Sequence, residues 1–418
     1  MFQTRSITYK LYPNKAQEEI MVRKHLMLKD LWNAALEERI SAWKKEEKKI
    51  SLSDQEKALK EIRVDVGGWK GLIHTHEAQT VLKRLDLAFK AFFRRLKKGQ
   101  KPGFPRFRSA DRFSGWGYKE HRNGFKLEMR EGWRHGHATL YGVGRMRIRG
   151  VARTPGRILK ADVSKTHNGW RLNVVVETDC AVRDEAQGPA VGLDWGVSEF
   201  ATLALDDGSF EAVPNPRHLN EEAEQLREKQ QKLSRLARAR KISKRASRKA
   251  RKALARQHAK VAARRKDFLH KESARMAARH PVIATEELQV RNMTGSARGT
   301  MESPGRMVAQ KAGLNRSILD TAPATFLNML RYKAEEAGSK FLEAPTRKLK
   351  PSQRCPSCGT VKKKSLAQRQ HVCSCGCQLG RDQAAALVLL NWGLEQISQS
   401  DQPETINPAG TVGDQAAA

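Results

Sequence analysis

Five of the six cysteines in this 418-residue sequence lie within residues 355–377. Cys355 and Cys358 form a Cys-x-x-Cys pair, and Cys373 and Cys375 form a Cys-x-Cys pair further along. Tetrahedral zinc accepts four thiolates and contributes about 10–16 kcal/mol of apparent folding free energy to a ribbon without its own core. We therefore expect a structural zinc site. Cys377 could replace Cys373 or Cys375 as a ligand, and the alternative is a reduced cysteine cluster without metal.

Three carboxylates stand at positions where an acid needs an explanation. Asp194 lies inside the apolar segment 191–197, Glu286 ends the apolar segment that begins at residue 282, and Asp382 opens a helical stretch over 383–390. A carboxylate inside an apolar strand is costly to bury unless it is paired or bound to a metal. Asp382 alone fits an ordinary helix N-terminus, where a negative charge is favoured. Glu287 follows Glu286 directly, and strand alternation would point the two side chains to opposite faces.

Together these acids predict a magnesium-dependent site. Clustered carboxylates repel one another until divalent ions bind them. Magnesium binds carboxylates, waters and phosphate oxygens, and two ions can activate a water and stabilise the departing oxygen of a phosphodiester. Asp194, Glu286 and Asp382 are thus expected to hold two Mg²⁺ ions in a centre of the kind found in RNase H-like nucleases.

The elements that would position these residues can be read from periodicity and turn signals. Residues 6–12 alternate as a strand, and Asn14 with Gln17 forms a capping box for the helix that follows. A second helix is expected over 79–98, and Asn168-Gly169 predicts a hairpin between 158–164 and 170–176. The aliphatic and aromatic residues expected to be buried in the second helix are Leu82, Leu85, Phe89, Phe92 and Phe93.

The charge balance points to a polyanionic partner. Lysine and arginine number 79 against 45 aspartate and glutamate, which gives a formal net charge of +34. Nucleic acid is the first candidate and an anionic membrane surface the second. There is no apolar run of about eighteen residues and no apolar signal core at the N-terminus, so we expect a cytoplasmic protein without a membrane partner.

Two basic segments could contact nucleic acid. Residues 97–109 place phenylalanines among cations, and residues 221–280 form a helical stretch in which cations greatly exceed acids. The alternatives are a solvated loop anchored by its phenylalanines and a solvated helix face. The candidate contact residues are Lys101, Phe104, Arg106, Arg108, Arg238, Arg240, Lys244, Arg245 and Arg248.

These motifs resemble the TnpB family of transposon-encoded RNA-guided nucleases, which is related to type V CRISPR effectors. GLDWGVSEFATL is similar to the first RuvC motif, with Asp194, and ATEELQVRNM to the second, with Glu286. CPSCG, HVCSCGC and GRDQAAA resemble the zinc ribbon and the third motif, with Asp382, and KPGFPRFRS and SQRCPSCG match further family stretches. In the third motif Gly380 and Ala384 replace an aspartate and an asparagine, but no essential carboxylate is lost.

The resemblance implies an α+β multidomain protein that cuts guide-matched, double-stranded DNA next to a short flanking motif. Its partners would be a guide RNA and the DNA target, with base pairing reading most of the target sequence. In a bacterial cell it would be associated with the nucleoid. The expected domains are a wedge-like β-barrel (1–13 and 100–185), a helical recognition insert (14–99), an RNase H-like RuvC domain (186–350 and 378–395), a zinc ribbon (351–377) and a disordered tail (396–418).

Three other activities stay open at the level of sequence. An RNA-guided repressor would bind without cleavage, although that class is expected to have lost RuvC carboxylates. A transposon-associated strand-transferase would need a nucleophile that the sequence does not reveal. A stand-alone junction resolvase would cut without RNA, so ribonuclease treatment would spare its activity.

Overall fold

A computed structural model describes residues 2–65, 69–152, 154–179, 186–238, 243–365 and 367–400. The chain divides into two compact units, Met1–Cys180 and Ala181–Ala418. Each unit combines helices with a β-sheet, so the prediction of an α+β protein is confirmed.

The first unit is built on a seven-stranded antiparallel sheet. In space the strands follow the order β2-β6-β7-β1-β5-β4-β3. Alternating burial along β7, with Trp170, Leu172, Val174 and Val176 buried, follows the two-residue period of a strand that covers a core on one face. The strands are β1 (Phe2–Tyr12), β2 (Trp116–Tyr118), β3 (Phe125–Met129), β4 (Arg134–Leu140), β5 (Gly144–Val151), β6 (Arg157–Thr166) and β7 (Gly169–Asp179).

The predicted hairpin in this sheet is present, with its turn displaced by one residue. Thr166 pairs with Gly169, so His167 and Asn168 form the two-residue turn. Gly169 begins β7 with φ of +104°, a conformation that favours glycine.

Three helices accompany this sheet: α1 (Lys15–Glu46), α2 (Leu52–Asp65) and α3 (Thr75–Lys97). The capping box of Asn14 and Gln17 opens α1 as predicted. α3 begins four residues before the predicted start, because His74 and Glu77 form a second capping box. Leu82 and Leu85 are buried as expected, and Phe89 and Phe92 are half-buried. The prediction of a buried Phe93 was wrong: it is 53% exposed, because the last turns of α3 extend past the core.

The second unit contains a five-stranded mixed sheet. The strands are β8 (Val191–Trp195), β9 (Glu199–Leu205), β10 (Phe210–Pro214), β11 (Val282–Glu286) and β12 (Lys340–Ala344). They lie in the order β10-β9-β8-β11-β12, with β8 antiparallel to β9 and parallel to β11. β8 is therefore the central strand and is nearly continuous in its apolar residues, as expected for a strand that is buried on both faces.

The helices of the second unit cover this sheet and connect its strands. α11 packs against β8, β9, β11 and β12, while α6 packs against α5 and α9. The predicted tail overlaps the end of α11, which continues to Ser400, and residues 401–418 lie outside the described residues. The helices are α4 (His218–Glu221), α5 (Ala223–Arg238), α6 (Lys244–Arg279), α7 (Val290–Met293), α8 (Val308–Thr321), α9 (Pro323–Glu336), α10 (Thr346–Leu349) and α11 (Arg381–Ser400).

A short two-stranded ribbon, β13 (Gln370–Val372) and β14 (Gln378–Gly380), leads directly into α11. Among the described helices, none is long and apolar enough to cross a membrane.

Candidate functional site

Asp194 lies in the central strand of the second unit. Asp194 pairs with Thr202 of β9, and its chain neighbours Leu193 and Trp195 are buried in the core. The strand is held to β11 by the side chain of Thr285, whose hydroxyl donates to the carbonyl oxygen of Leu193 over 3.1 Å. The core thus fixes the backbone on both sides of one acidic side chain, which stays half-buried.

Glu286 is the last residue of β11, the strand parallel to β8. It is half-buried, whereas Glu287 is exposed and already follows the strand. The backbone N–H of Glu287 donates to the carbonyl of Ala344, which extends the pairing with β12. Glu286, and not Glu287, is among the charges that raise the pKa of Asp194.

Asp382 lies in the first turn of α11 and is exposed. The same helix packs on the central strand, which brings Asp382 towards Asp194 although the two are far apart in sequence. The side chain of Gln383 stabilises the start of this helix, because its Oε1 accepts a hydrogen bond from the backbone N–H of Gly380 over 3.0 Å.

The charges of Glu286 and Asp382 both act on Asp194. The pKa of Asp194 is raised well above its usual range, first by desolvation and then by the negative charges of Glu286 and Asp382. The neighbouring cation Arg381 opposes that shift. Burial raises the pKa of Glu286 to about 7, against a hydrogen bond with Thr346 that lowers it. Such an arrangement favours protonation of Asp194 and Glu286 or the binding of cations.

The three acids are less tightly grouped than four of the cysteines of the ribbon, whose ligand atoms all lie within 4.8 Å of one another. Among the described residues, the carboxylate oxygens of this trio do not form a group within 4.8 Å of one another. A cleft lined by Thr202, Glu211, Arg369 and Arg381 opens beside Asp382. Of the three acids, Asp382 alone lines this cleft, and a polyanion entering it would meet Arg369 and Arg381 beside that residue.

The structure brings together the four cysteines predicted to bind a metal. The ligand sulfurs of Cys355, Cys358, Cys373 and Cys375 all lie within 4.8 Å of one another. The Sγ atoms of Cys355 and Cys375 are 3.6 Å apart, and those of Cys358 and Cys373 are 3.5 Å apart. Tetrahedral zinc with Zn–S bonds of about 2.3 Å requires sulfur–sulfur separations of roughly 3.8 Å, so the donors fit this ion.

The fold of the ribbon also favours the ionised form of one ligand. Hydrogen bonding with Thr360 lowers the pKa of Cys358 to about 6, and the thiolate is the form that binds metals. Cys377 does not belong to the four-cysteine group, but it lies within 4.8 Å of Cys355 and His371 in a second group.

The basic loop 97–109 lies along α1. The backbone of Arg108 exchanges hydrogen bonds with the Asn33 side chain, and its guanidinium lies 5.1 Å from the ring centroid of Trp32. The Arg106 carbonyl accepts from the indole N–H of Trp32 over 3.1 Å. The side chains of Lys101, Arg106 and Arg108 are nevertheless exposed. The loop thus has an ordered backbone and solvent-facing cations.

The phenylalanines of this loop are only partly used for packing. Phe104 makes edge contacts with Phe89 and Phe92, at centroid distances of 5.6 and 5.3 Å, but remains 47% exposed. Phe107 is 53% exposed. The interpretation of these residues as core anchors therefore applies in part to Phe104, while Phe107 faces solvent.

The basic hairpin of α5 and α6 separates its paired cations from its exposed ones. Near its base, Lys260 and Arg264 bind the buried carboxylate of Glu222 at 2.6 and 2.9 Å. Towards its tip, Arg238, Arg245 and Arg248 are exposed, and within the described ranges none of them pairs with a carboxylate. Of the remaining candidates, Arg240 lies outside the described residues, and so does the side chain of Lys244.

Three residues of the site were missed by sequence reasoning, and the first of them, Arg369, lines the cleft beside Asp382. Arg381 donates its backbone N–H to the carbonyl of Arg369 over 2.8 Å and its guanidinium to that of Ser365 over 2.9 Å. His371 is 97% buried beside the cysteines. The sequence offered two signals: Arg381 directly precedes Asp382, and His371 lies two residues before Cys373.

Comparisons with protein families match three parts of the chain. The OrfB_IS605 model, described as "Probable transposase", matches residues 173–297. The "Cas12f1-like, TNB domain" model matches residues 324–389, and a "Helix-turn-helix domain" model matches residues 1–48. In the structure, the segment matched by the helix-turn-helix model contains β1 and one long helix, α1.

Similar proteins and structures extend the match to most of the chain. "Putative RNA-guided DNA endonuclease InsQ" of Escherichia coli (strain K12) is 31% identical over 300 residues, which cover 71% of this chain and 68% of that protein. A "Putative RNA-guided DNA endonuclease" of Streptomyces pristinaespiralis is 29% identical over 396 residues, which cover 93% and 89%. The fold is also similar to the protein in "Cryo-EM structure of the Cas12f1-sgRNA-target DNA complex", with a TM-score of 0.56 at 12% identity, covering 90% of this chain and 82% of the other.

The InsQ relative exceeds 30% identity over more than two thirds of its own length, and the transposase model matches the segment that contains Asp194 and Glu286. On this evidence, and in agreement with the motifs in its sequence, the chain belongs to the TnpB family.

Proposed function

We propose that this chain is an RNA-guided DNA endonuclease that cuts guide-matched DNA next to a short flanking motif, with Asp194, Glu286 and Asp382 as its catalytic carboxylates. The observation that carries the proposal is the packing of α11 and β11 against β8, which brings the three acids together. The raised pKa of Asp194, to which the charges of the other two acids contribute, is consistent with this grouping. The relatives named as RNA-guided DNA endonucleases support the same activity.

The three acids would hold two Mg²⁺ ions in this centre. Hard carboxylate oxygens are suitable ligands for this ion. When bound, the two ions would polarise the attacking water and stabilise the departing oxygen of the phosphodiester. Asp194 is the acid whose pKa responds to the charges of both others.

The arginines of the cleft would orient the DNA backbone. Arg369 and Arg381 line the same cleft as Asp382. Guanidinium groups bind phosphate oxygens in a fixed geometry, and they would offset the repulsion between a polyanion and three carboxylates. In this role the cations hold the phosphate while the acids retain the ions.

The ribbon would hold one structural Zn²⁺ through Cys355, Cys358, Cys373 and Cys375. Four thiolates leave no open position for a substrate, so the ion would stabilise the fold. Its effect would reach the nuclease centre because β14 of the ribbon ends where α11 and Asp382 begin.

The exposed basic residues would bind the nucleic acids. Arg238, Arg245 and Arg248 on the hairpin of α5 and α6 have no carboxylate partner among the described residues, so phosphate is their expected counter-charge. In the loop 97–109, the exposed cations would contact the phosphates of a nucleic acid, and the half-exposed rings of Phe104 and Phe107 would stack on its bases. The partners would be a guide RNA and the double-stranded target, at the bacterial nucleoid.

The domain arrangement proposed for this activity follows the sequence expectations. The first unit would contain the wedge-like barrel with its helical insert, and the second would contain the RuvC domain with the inserted ribbon. The antiparallel sheet of the first unit and the mixed sheet with α11 in the second support this division.

A plasmid-library challenge tests the proposed function. The protein is expressed with its native flanking DNA as the source of guide RNA, and a guide-matched target is presented beside randomised flanking bases with Mg²⁺. Depletion of one flanking motif with the wild type but not with Asp194→Asn would support a guided nuclease. Enrichment of a bound motif without depletion would instead establish a binding protein of the repressor type.

Ribonuclease treatment and product analysis separate the remaining activities. Loss of cutting after treatment is expected for a guided enzyme, whereas a junction resolvase would stay active. Joined DNA products would establish a strand-transferase and contradict the proposal. Asp194→Asn should leave RNA binding intact, because the substitution preserves shape and removes only the charge on which the ions depend.

A further inference from the structure

The ribbon contains two groups of metal-ligating atoms that share one residue. The first is the four-cysteine group described above. The second consists of Cys355, His371 and Cys377, whose ligand atoms also lie within 4.8 Å of one another. Cys355 is 1% exposed and belongs to both groups.

His371 gives independent support for the second group. The residue is 97% buried, and among the described residues its Nε2 atom has no hydrogen-bond partner. Its Nδ1 atom is 2.5 Å from the Nζ atom of Lys364. A buried ring nitrogen without a partner costs free energy unless it finds a donor, an acceptor or a metal ion. The sulfurs of Cys355 and Cys377 lie within 4.8 Å of a nitrogen of this ring, so a metal ion held with them would satisfy the ring.

The ribbon hairpin fixes both additional ligands. His371 lies on β13 and pairs with Leu379 of β14, and the N–H of Cys373 donates to the carbonyl of Cys377 over 3.0 Å. The two residues are therefore held at the stem of one hairpin. A ligand that the fold already positions loses little conformational entropy when it binds a metal.

The two groups differ in their access to solvent. Cys358 and Cys375 of the four-cysteine group are exposed, whereas Cys355 and His371 are buried and Cys377 is half-buried. Exposed thiolates are the ones that oxidants and alkylating reagents reach first. Loss of the exposed pair would leave the second group intact.

We propose that Cys355, His371 and Cys377 form a reserve zinc position that retains the ion when the exposed thiolates Cys358 and Cys375 are modified. One ion would occupy one position at a time, because both positions need Cys355. With three protein ligands, the reserve position would leave the fourth place of a zinc ion to a water molecule. To coordinate zinc, Nε2 must be free of a proton, so Nδ1 carries it. Because the Lys364 ammonium can only donate, its contact with Nδ1 is released in that state.

The first test uses full-length variants and metal content. Cys358→Ser combined with Cys375→Ser leaves only the reserve group complete, and it should still bind about one Zn²⁺ or Co²⁺ per chain. Its cobalt spectrum should show weaker thiolate charge-transfer absorption than the wild type, since imidazole replaces thiolates. Adding His371→Ala should weaken metal binding at least about tenfold. Equal metal content in the double and triple variants would overturn the proposal.

Matched controls connect the result to the named residues. His371→Ala with Cys377→Ser keeps the four-cysteine group and should retain one ion with the wild-type cobalt spectrum. Cys355→Ser should weaken both positions. A wild-type chain that binds two ions at once would contradict the shared, single occupancy.

A second measurement needs no variant of the four-cysteine group. Wild type and His371→Ala, both loaded with zinc, are alkylated stepwise in the presence of a chromogenic chelator. The wild type should keep its zinc after the two exposed thiols have reacted, while His371→Ala should release it with them. Simultaneous release from both proteins would overturn the reserve position. The inference rests on the zinc site of the proposed function, but its readout is metal content, so a failure of DNA cutting leaves it unaffected.

Discussion

Gly192 on β8 lies directly against the carbonyl oxygen of Ala386 on α11. A Cβ atom built on Gly192 would be 2.1 Å from that oxygen and 2.5 Å from the backbone nitrogen of Leu390. No side chain fits at this position, and the close approach sets the distance between the strand of Asp194 and the helix of Asp382. The geometry of the acidic centre therefore depends on a residue that has no functional group.

Gly192→Ala is expected to destabilise the protein and impair cutting. The inserted methyl group must move α11 away from β8, and overpacking of this kind costs about 1–3 kcal/mol. Because Asp194 and Asp382 are on the two displaced elements, the loss of activity should exceed the loss of folded protein. Thermal unfolding and cleavage rates below the unfolding transition measure both effects.

Gly313→Ala provides a matched control in the same unit. Gly313 lies in α8, and a Cβ atom at this position would have the end of the Arg316 side chain, 3.9 Å away, as its nearest neighbour. Alanine is favoured over glycine in helices by up to about 1 kcal/mol, so unchanged or increased stability is expected. If both variants behaved alike, the contact between Gly192 and Ala386 would not determine the site.

Glu286→Gln and Glu287→Gln form a second matched pair. Glu286 is half-buried with a pKa of about 7, while its neighbour is exposed. We expect Glu286→Gln to abolish cutting of a guide-matched target and Glu287→Gln to retain most of it, with guide and target binding preserved in both. The measurement is cleavage under single-turnover conditions beside a binding assay. Loss of cutting in Glu287→Gln alone would assign the metal ligand to that residue instead.

In the absence of Mg²⁺, the free energy of unfolding of the protein should fall as the pH rises. Glu286 has a pKa raised from 4.5 to about 7, so between these values the folded chain binds more protons than the unfolded chain. The free energy of unfolding then decreases with rising pH across this window, and the raised pKa of Asp194 acts in the same direction. Binding of Mg²⁺ removes the repulsion, so Mg²⁺ should raise Tm more at pH 8 than at pH 6.

The variant Asp194→Asn distinguishes this effect from non-specific stabilisation by salt. It removes one of the repelling charges and one of the expected ligands, so the difference between the Mg²⁺ effects at pH 8 and pH 6 should shrink. An equal rise in Tm at both pH values in the wild type would show that the acids do not bind the ion as a group. Thermal unfolding at constant ionic strength provides the data.

Local sequence signals predicted the elements of this fold well. The capping box of Asn14 and Gln17 and the hairpin after Thr166 depend on residues within three positions of each other, and both are present. The four cysteines were also predictable, since a shared ligand requirement identifies them without knowledge of the fold.

Features that depend on tertiary contacts were not predictable. Lys24 and Glu77 are fully buried as an ion pair with a 2.6 Å contact, although charged side chains normally favour the surface. Phe93 is exposed although it is aromatic and lies on the predicted stripe. The grouping of Asp194 with Asp382 was predicted from the motifs, but the packing of α11 on β8 that produces it could not be read from periodicity.

Arg381 is expected to couple the ribbon to the nuclease centre. Its guanidinium donates to the carbonyls of Ser365 and Gln368 at 2.9 and 3.4 Å, and its backbone N–H donates to that of Arg369. The next residue is Asp382, so ribbon movement would displace this acid. Arg381→Met should retain zinc and guided binding but lose cutting by about 10–100-fold, the range typical of residues that orient metal ligands.

A comparison with Arg354 and with zinc removal tests this coupling. Arg354 binds the carbonyls of Leu349 and Gly359 within the ribbon region, so Arg354→Met should weaken zinc retention instead. Zinc removal should slow cutting strongly in the wild type and only slightly further in Arg381→Met, because both changes release the same restraint and their effects are not additive. Fully additive losses would show that Arg381 acts on the DNA alone, through the cleft that it lines with Arg369.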